Sequence, residues 1–172
     1  MSADSAPQRR FPRVWARILD LMSVGIGYDS HRFEQGRPLI LGGVEIEHER
    51  GLGGHSDADV LAHSVIDALL GAAGQGDIGT LFPDDEERWR HADSVDLLRT
   101  VVGTVGGRIV NVDATVVCEE PRLAPYRAEM ERILAEVTSA RVSVKATTNE
   151  GMGWIGRGEG IACIAVASVE SE

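Results

Sequence analysis

The sequence has only two cysteines, Cys118 and Cys163, and neither belongs to a C-x-x-C pair. Neither a disulfide framework nor a cysteine-rich zinc site is signalled. Both lie in apolar, strand-like runs and read as core residues, which fits a reducing compartment. No apolar run approaches the ~20 residues that a membrane-spanning helix needs. Basic residues are also short, with 17 Lys and Arg against 27 Asp and Glu and a formal net charge of -10. That balance argues against a protein that coats nucleic-acid phosphates. It leaves room for a small phosphorylated ligand, because a few local cations or a metal can reverse the field.

What remains is the make-up of an ordinary globular chain: 172 residues, 43% hydrophobic and 26% charged, enough for one domain with its own core. Residues 1–23 stand apart, since Arg9, Arg10, Arg13 and Arg17 make them basic within an acidic protein. Phe11, Val14, Trp15, Ile18 and Met22 recur at helical spacing. The segment reads as a poorly ordered extension: a dispensable one from an upstream start, a linker remnant, or an organellar targeting segment. The expected location is a bacterial cytoplasm, or a plastid if residues 1–23 are a targeting segment.

The globular part, residues 24–172, opens on an alternating strand in which Val24, Ile26 and Tyr28 face one way and Gly25, Gly27, Asp29 and His31 the other. A second extended stretch over Pro38–Ile46 is broken at Gly42-Gly43. Ser56 to about Ala73 reads as a helix, with Ser56 as N-cap and Asp59 completing a capping-box-like start. Further helices are expected near 94–105 and within 121–137, and strands over 108–118, 142–148 and 161–169. The pattern predicts an α/β (α+β-like) fold with a single mixed β-sheet and helices packed on one face.

Asp29 and His31 leave the same strand face, where Gly25 and Gly27 would leave space. His63, on the following helix, shares a polar stripe with Asp59 and Asp67 at i, i+4, i+8 spacing. Two imidazoles and a carboxylate suit zinc with one open position, and Asp59 or Asp67 could orient His63. Spacing alone leaves local roles open, with His63 a satisfied helix histidine and Asp59 an anion in a first turn. Downstream, Gly76-Asp-Ile-Gly-Thr-Leu-Phe-Pro-Asp84 is a loop or an ordinary turn. Lys145-Ala-Thr-Thr-Asn-Glu150 sets two hydroxyls and a carboxylate at a strand end, where phosphate and magnesium could bind. Gly156-Arg-Gly-Glu-Gly160 could approach an anion with Arg157 as a forked partner; it lacks the P-loop's spacing and lysine-serine ending. Arg122 could contact a phosphate or nucleotide or simply be a surface arginine.

In order, Asp29-Ser-His-Arg-Phe33, His55-Ser-Asp-Ala-Asp59 with His63, Gly76-Asp-Ile-Gly79 with Phe82-Pro-Asp84, Lys145–Glu150 and Gly156–Ala162 resemble the 2-C-methyl-D-erythritol 2,4-cyclodiphosphate synthase family. The resemblance implies a homotrimer with active sites between subunits. It implies conversion of 4-diphosphocytidyl-2-C-methylerythritol 2-phosphate to the cyclodiphosphate and CMP, in the non-mevalonate route to isoprenoid precursors. By motif position it implies Zn2+ on Asp29, His31 and His63, and a second divalent ion, Mg2+ or Mn2+, at Glu150. It implies catalytic positions at His55, Thr148 and Glu150, with His55 and Ser56 over the methylerythritol phosphate. Asp77, Gly79, Phe82 and Asp84 match positions around the erythritol portion, where Asp29 and His31 also meet substrate. Thr147 and Thr148 match diphosphate contacts, and Cys118–Ala124 the cytidine pocket, with Arg122 for a usual lysine. Trp154, for a usual phenylalanine, and Arg157 match a central trimer cavity that in relatives can hold an isoprenoid diphosphate. Ala58 and Asn149 replace a common glycine and a frequent threonine.

Overall fold

A computed structural model describes residues 21–170. The basic segment and its helical pattern at residues 11–18 therefore lie outside the described residues; Met22, counted in that pattern, belongs to a strand.

That strand, β1 (Met22–Gln35), is longer than the alternation alone indicates. It runs antiparallel to β7 (Gly160–Glu170) along most of its length, with Ile26 opposite Val166 and Tyr28 opposite Ile164. The sheet order is β4-β1-β7-β5-β6, with β4 at Arg50–Leu52, β5 at Arg108–Val117 and β6 at Arg141–Thr147. Only β5 and β6 pair in parallel, joined by the helix α4 (Arg127–Thr138). One departure from a single sheet is the separate hairpin β2 (Leu39–Leu41) and β3 (Val44–Ile46). Gly42 and Gly43 make its two-residue turn at φ 58° and 74°, where side chains with a Cβ are disfavoured.

The central helix α1 (Val60–Ala73) starts later than the expected Ser56. Its N-cap is Asp59, whose carboxylate accepts from the N–H groups of Leu61 and Ala62 at 3.0 Å each. Ala58, at φ 60°, turns the chain just before it, which keeps Ser56 out of the helix. Gly74 closes the helix in the left-handed conformation. Ten of its residues, from Val60 to Leu70, are buried, as expected of a helix walled on nearly every side.

Small residues let α1 lie directly on the sheet. A Cβ at Gly25 or Gly27 would come within 2.0 Å of the Ala68 or Ser64 carbonyl oxygen. The space expected beside a metal is therefore filled by helix backbone. Ala165, Ala167 and Ala114, opposite or beside these glycines in the ladder, are fully buried. Along β1 and β7 the other sheet face is apolar and uncovered: Val24, Ile26 and Tyr28 are 66%, 70% and 55% exposed, and Ile164 and Val166 join them. Two short helices, α2 (Ile78–Leu81) and α5 (Gly153–Gly156), a longer one, α3 (Ser94–Val102), and a 3-10 turn at Glu87–Trp89 complete the described elements. No described helix is long and apolar enough to cross a membrane.

Candidate functional site

β1 and α1 meet where the strand carries Asp29 and His31 and the helix carries His63. The Oδ2 of Asp29 lies 2.9 Å from Nδ1 of His63 and 3.1 Å from Nε2 of His31. The two ring nitrogens are 3.4 Å apart. Three ligand atoms thus converge in a triangle, the one cluster of its kind among the described residues. A tetrahedral zinc with ligands at about 2.0–2.2 Å separates them by about 3.3–3.6 Å. The triangle needs to open by only a few tenths of an ångström, and the donor set fits zinc.

The electrostatics agree. Burial works to raise the pKa of Asp29, but hydrogen bonds from His31 and His63 outweigh it and hold the carboxyl well below the usual range. Burial works to lower that of His63, yet its bond to Asp29 and the nearby Asp59 and Asp57 carboxylates raise it. An ionised Asp29 beside two imidazoles, with two more carboxylates near His63, suits a cation.

Neither acidic neighbour on α1 orients His63, contrary to expectation. Besides capping its helix, Asp59 accepts the Gly43 N–H at 2.8 Å, and Asp67 accepts the Ile78 N–H at 2.8 Å. The far nitrogen of His63 instead faces two hydroxyls, Ser94 at 2.9 Å and Ser56 at 3.1 Å. Sequence gives no sign of this Ser94 contact, because the residue sits at the start of α3, where a serine reads as helix-start chemistry.

The triad opens into a cleft of ≈ 640 Å³. His55, Ser56, Gly79, Phe82 and Asp84 line it with the metal ligands, as do Ile78, Trp89 and Leu97, which sequence reading passed over. Phe82 meets Trp89 edge to face at 4.9 Å. The exposed Asp77 does not line the cleft; its carboxylate caps α2 through the Thr80 N–H at 2.9 Å. The loop bearing His55 and Ser56 is fastened from behind by Arg37, which donates to the carbonyls of Gly54 and Ser56, and by the His91 N–H, which donates to the His55 carbonyl.

The other expected residues gather elsewhere. Arg122, Thr147 and Thr148 line a pocket of ≈ 200 Å³ with Cys118, Pro121 and Leu123, and none of these lines the first cleft. Glu150, exposed and at φ 51°, accepts from the Thr148 hydroxyl at 3.0 Å. Arg157 lines a third cavity with Phe33, Arg50 and Glu119, and half-buried Trp154 is the second residue of the short α5 just before it.

A model of the YgbB family matches residues 22–170. The chain belongs to the YgbB family. Among similar proteins of this family, the 2-C-methyl-D-erythritol 2,4-cyclodiphosphate synthase of Symbiobacterium thermophilum is 59% identical over 86% of this chain and 98% of its own length. That of Salinibacter ruber is 54% identical over 87% and 99%. Solved structures agree: a CDP-bound synthase of the same name has a TM-score of 0.75 at 35% identity, covering 84% of this chain and 97% of its own. The bifunctional IspDF of Campylobacter jejuni gives 0.84 at 41% identity over 88% of this chain, which spans only 42% of that longer protein. The YgbB match thus takes in every element from β1 to β7, and with them the metal triad.

Proposed function

We infer that the chain is a 2-C-methyl-D-erythritol 2,4-cyclodiphosphate synthase, a phosphorus–oxygen lyase of the non-mevalonate route to isoprenoid precursors. It converts 4-diphosphocytidyl-2-C-methyl-D-erythritol 2-phosphate to the cyclodiphosphate and CMP. The observation that carries this reading is the Asp29–His31–His63 triad at the head of the cleft, in a chain 59% identical to a synthase of that name.

In the reaction, the substrate's 2-phosphate attacks its own β-phosphorus and CMP departs. Both partners are anions, so the barrier lies in repulsion and alignment, and no protein nucleophile is needed. Holding such groups in line is worth on the order of 7–11 kcal/mol. Zinc held by Asp29, His31 and His63 would supply Lewis-acid polarisation of a phosphate oxygen. His55 and Ser56 hold the methylerythritol phosphate at the cleft mouth. Gly79, Phe82 and Asp84 enclose the erythritol, and Asp77 keeps α2 in place beneath it. Arg122, with the Cys118–Ala124 turn, takes the cytidine, and Thr147 and Thr148 the diphosphate. Glu150 would lend a carboxylate to Mg2+ or Mn2+, which would supply charge neutralisation at the diphosphate.

The cytidine-side pocket and the metal cleft share no lining residue. A homotrimer resolves this, with one copy presenting the cleft and its neighbour the pocket. The uncovered apolar face of β1 and β7 supports such an assembly, since monomers rarely leave a contiguous apolar patch bare. Trp154 and Arg157 would then face a central cavity able to take an isoprenoid diphosphate.

The test is to incubate the protein with the cytidine substrate, zinc and magnesium and follow products by phosphorus NMR. Stoichiometric CMP and cyclic diphosphate are expected. A linear phosphate product would instead mark a hydrolase that activates water, and no turnover with isoprenoid diphosphate binding would mark a non-catalytic trimer.

A further inference from the structure

Behind His63, on the side away from Asp29, runs a chain of hydrogen bonds that metal ligation does not explain. Nε2 of His63 faces the hydroxyl of Ser94 at 2.9 Å. That hydroxyl donates to Oδ1 of Asp57, while the Ser94 N–H donates to Oδ2 of the same carboxylate at 3.0 Å. Asp57 is held in turn: Oδ1 accepts the Asp59 N–H at 3.2 Å, and its own N–H donates to the Ala92 carbonyl at 3.1 Å. Ser94 is fully buried and His63 nearly so.

Counting protons fixes the direction of the chain. A hydroxyl has one proton to give, and an ionised carboxylate can only accept. The proton of Ser94 goes to Asp57, so toward His63 its oxygen can only accept. Nε2 must therefore carry a hydrogen, so the nitrogen that gives up its proton to ligate a metal is Nδ1, which faces the point where Asp29 and His31 converge. Ser56 is compatible, because its oxygen accepts the Ala58 N–H at 3.1 Å with one lone pair and keeps a second for Nε2–H.

We propose that Ser94 and Asp57 are positioning residues for the metal centre: the chain from His63 Nε2–H through the Ser94 hydroxyl to the Asp57 carboxylate sets the tautomer and ring plane of His63 and tightens zinc binding. An imidazole that donates its far N–H to a charge-backed acceptor is a more basic ligand with one orientation. The chain also joins the turn before α1 to the first residue of α3, whose Leu97 lines the cleft. Alignment of His63 is thereby coupled to the cleft wall. The proposal rests on the zinc reading of the triad.

The test measures the zinc dissociation constant of the full chain by competition with a chromophoric chelator, for wild type, Ser94→Ala, Asp57→Asn and His63→Ala. Loss of such an outer partner typically weakens metal affinity about 10–100-fold. Ser94→Ala is expected in that range, Asp57→Asn is expected to weaken binding less, and His63→Ala is expected to weaken it most. Nitrogen-15 NMR of the zinc-loaded wild type should show His63 protonated at Nε2 and bare at Nδ1. Wild-type affinity in a folded Ser94→Ala protein, or a His63 protonated at Nδ1, overturns the proposal while leaving the zinc reading intact. Wild-type affinity in His63→Ala overturns both.

Discussion

A side-chain carbon placed on Gly27 would lie 2.0 Å from the carbonyl oxygen of Ser64, the residue that follows the metal ligand His63. The separation between Asp29 and His31 on the strand and His63 on the helix is set by this backbone contact. Nothing flexible is available to give way, since the next nearest atoms are the Ala68 nitrogen and the Asp67 Cβ. Overpacking a filled interior costs about 1–3 kcal/mol, and a clash with backbone belongs at the upper end. Gly27→Ala should therefore lower the unfolding free energy read from urea titration by that amount and weaken zinc binding in the protein that still folds. Gly106→Ala, which meets nothing within 4 Å, is the control and should do neither.

The bare sheet face makes a second prediction. Ile26 is 70% exposed and flanked by Val24, Tyr28, Ile164 and Val166. If neighbouring copies cover this ladder, Ile26→Asp buries an unpaired carboxylate at each contact, a cost no weak interface survives. Sedimentation equilibrium should show a mass near 18.5 kDa for the variant and three times that for wild type. Circular dichroism should be unchanged, and if the proposed site shared between copies holds, cyclisation should fall with the trimer. An Ile26→Asp protein with wild-type mass would place the interface elsewhere.

How much of this was legible beforehand divides along a physical line. The alternation of β1, the turn at Gly42-Gly43 and the body of α1 are local patterns, and each stands close to where sequence places it. Spacing puts Asp29 and His31 on one strand face, while their convergence with His63 is tertiary and is carried by the motif resemblance. What failed needed long-range knowledge. Ser56 looked like a cap because serines before apolar runs are caps, but the left-handed Ala58 hands that task to Asp59. Gly25 and Gly27 looked like room for a metal, whereas a helix from farther along the chain occupies it. Ser94 lies 31 residues from His63, and no local pattern connects them. The separation of the pocket lined by Arg122, Thr147 and Thr148 from the metal cleft is likewise invisible in a linear motif order.

Cys118 and Cys163 bear on the same boundary between local and tertiary effects. Burial pushes their thiols up, to about 11 for Cys118 and about 12 for Cys163, with Glu119 adding to the first. The nucleophile is the thiolate, so at pH 8 only a small fraction of either is reactive. Cys163 is fully buried as well. Ellman's reagent at pH 8 should leave the native protein unmodified over minutes and titrate both thiols after unfolding in urea. Prompt modification of one thiol in the native state would mean that its environment opens.

Metal removal separates structure from chemistry at the triad. α1 is held by the Asp59 cap, by the glycine contacts with β1 and by a fully buried apolar surface, none of which involves the ion. Stripping zinc with a strong chelator should therefore leave the circular dichroism spectrum intact. The melting temperature should still fall, because a ligand bound only to the folded state stabilises it by about 2.7 kcal/mol at a free concentration of 100 Kd. Cyclisation should vanish with the zinc and return when zinc is restored, while magnesium alone should not restore it, since two imidazole nitrogens make a poor site for an ion that prefers oxygen. If the stripped protein unfolds, the ion is part of the fold and loss of activity says nothing about its chemistry. If the stripped protein stays folded and still forms the cyclic product with magnesium alone, Asp29, His31 and His63 act on the substrate without zinc.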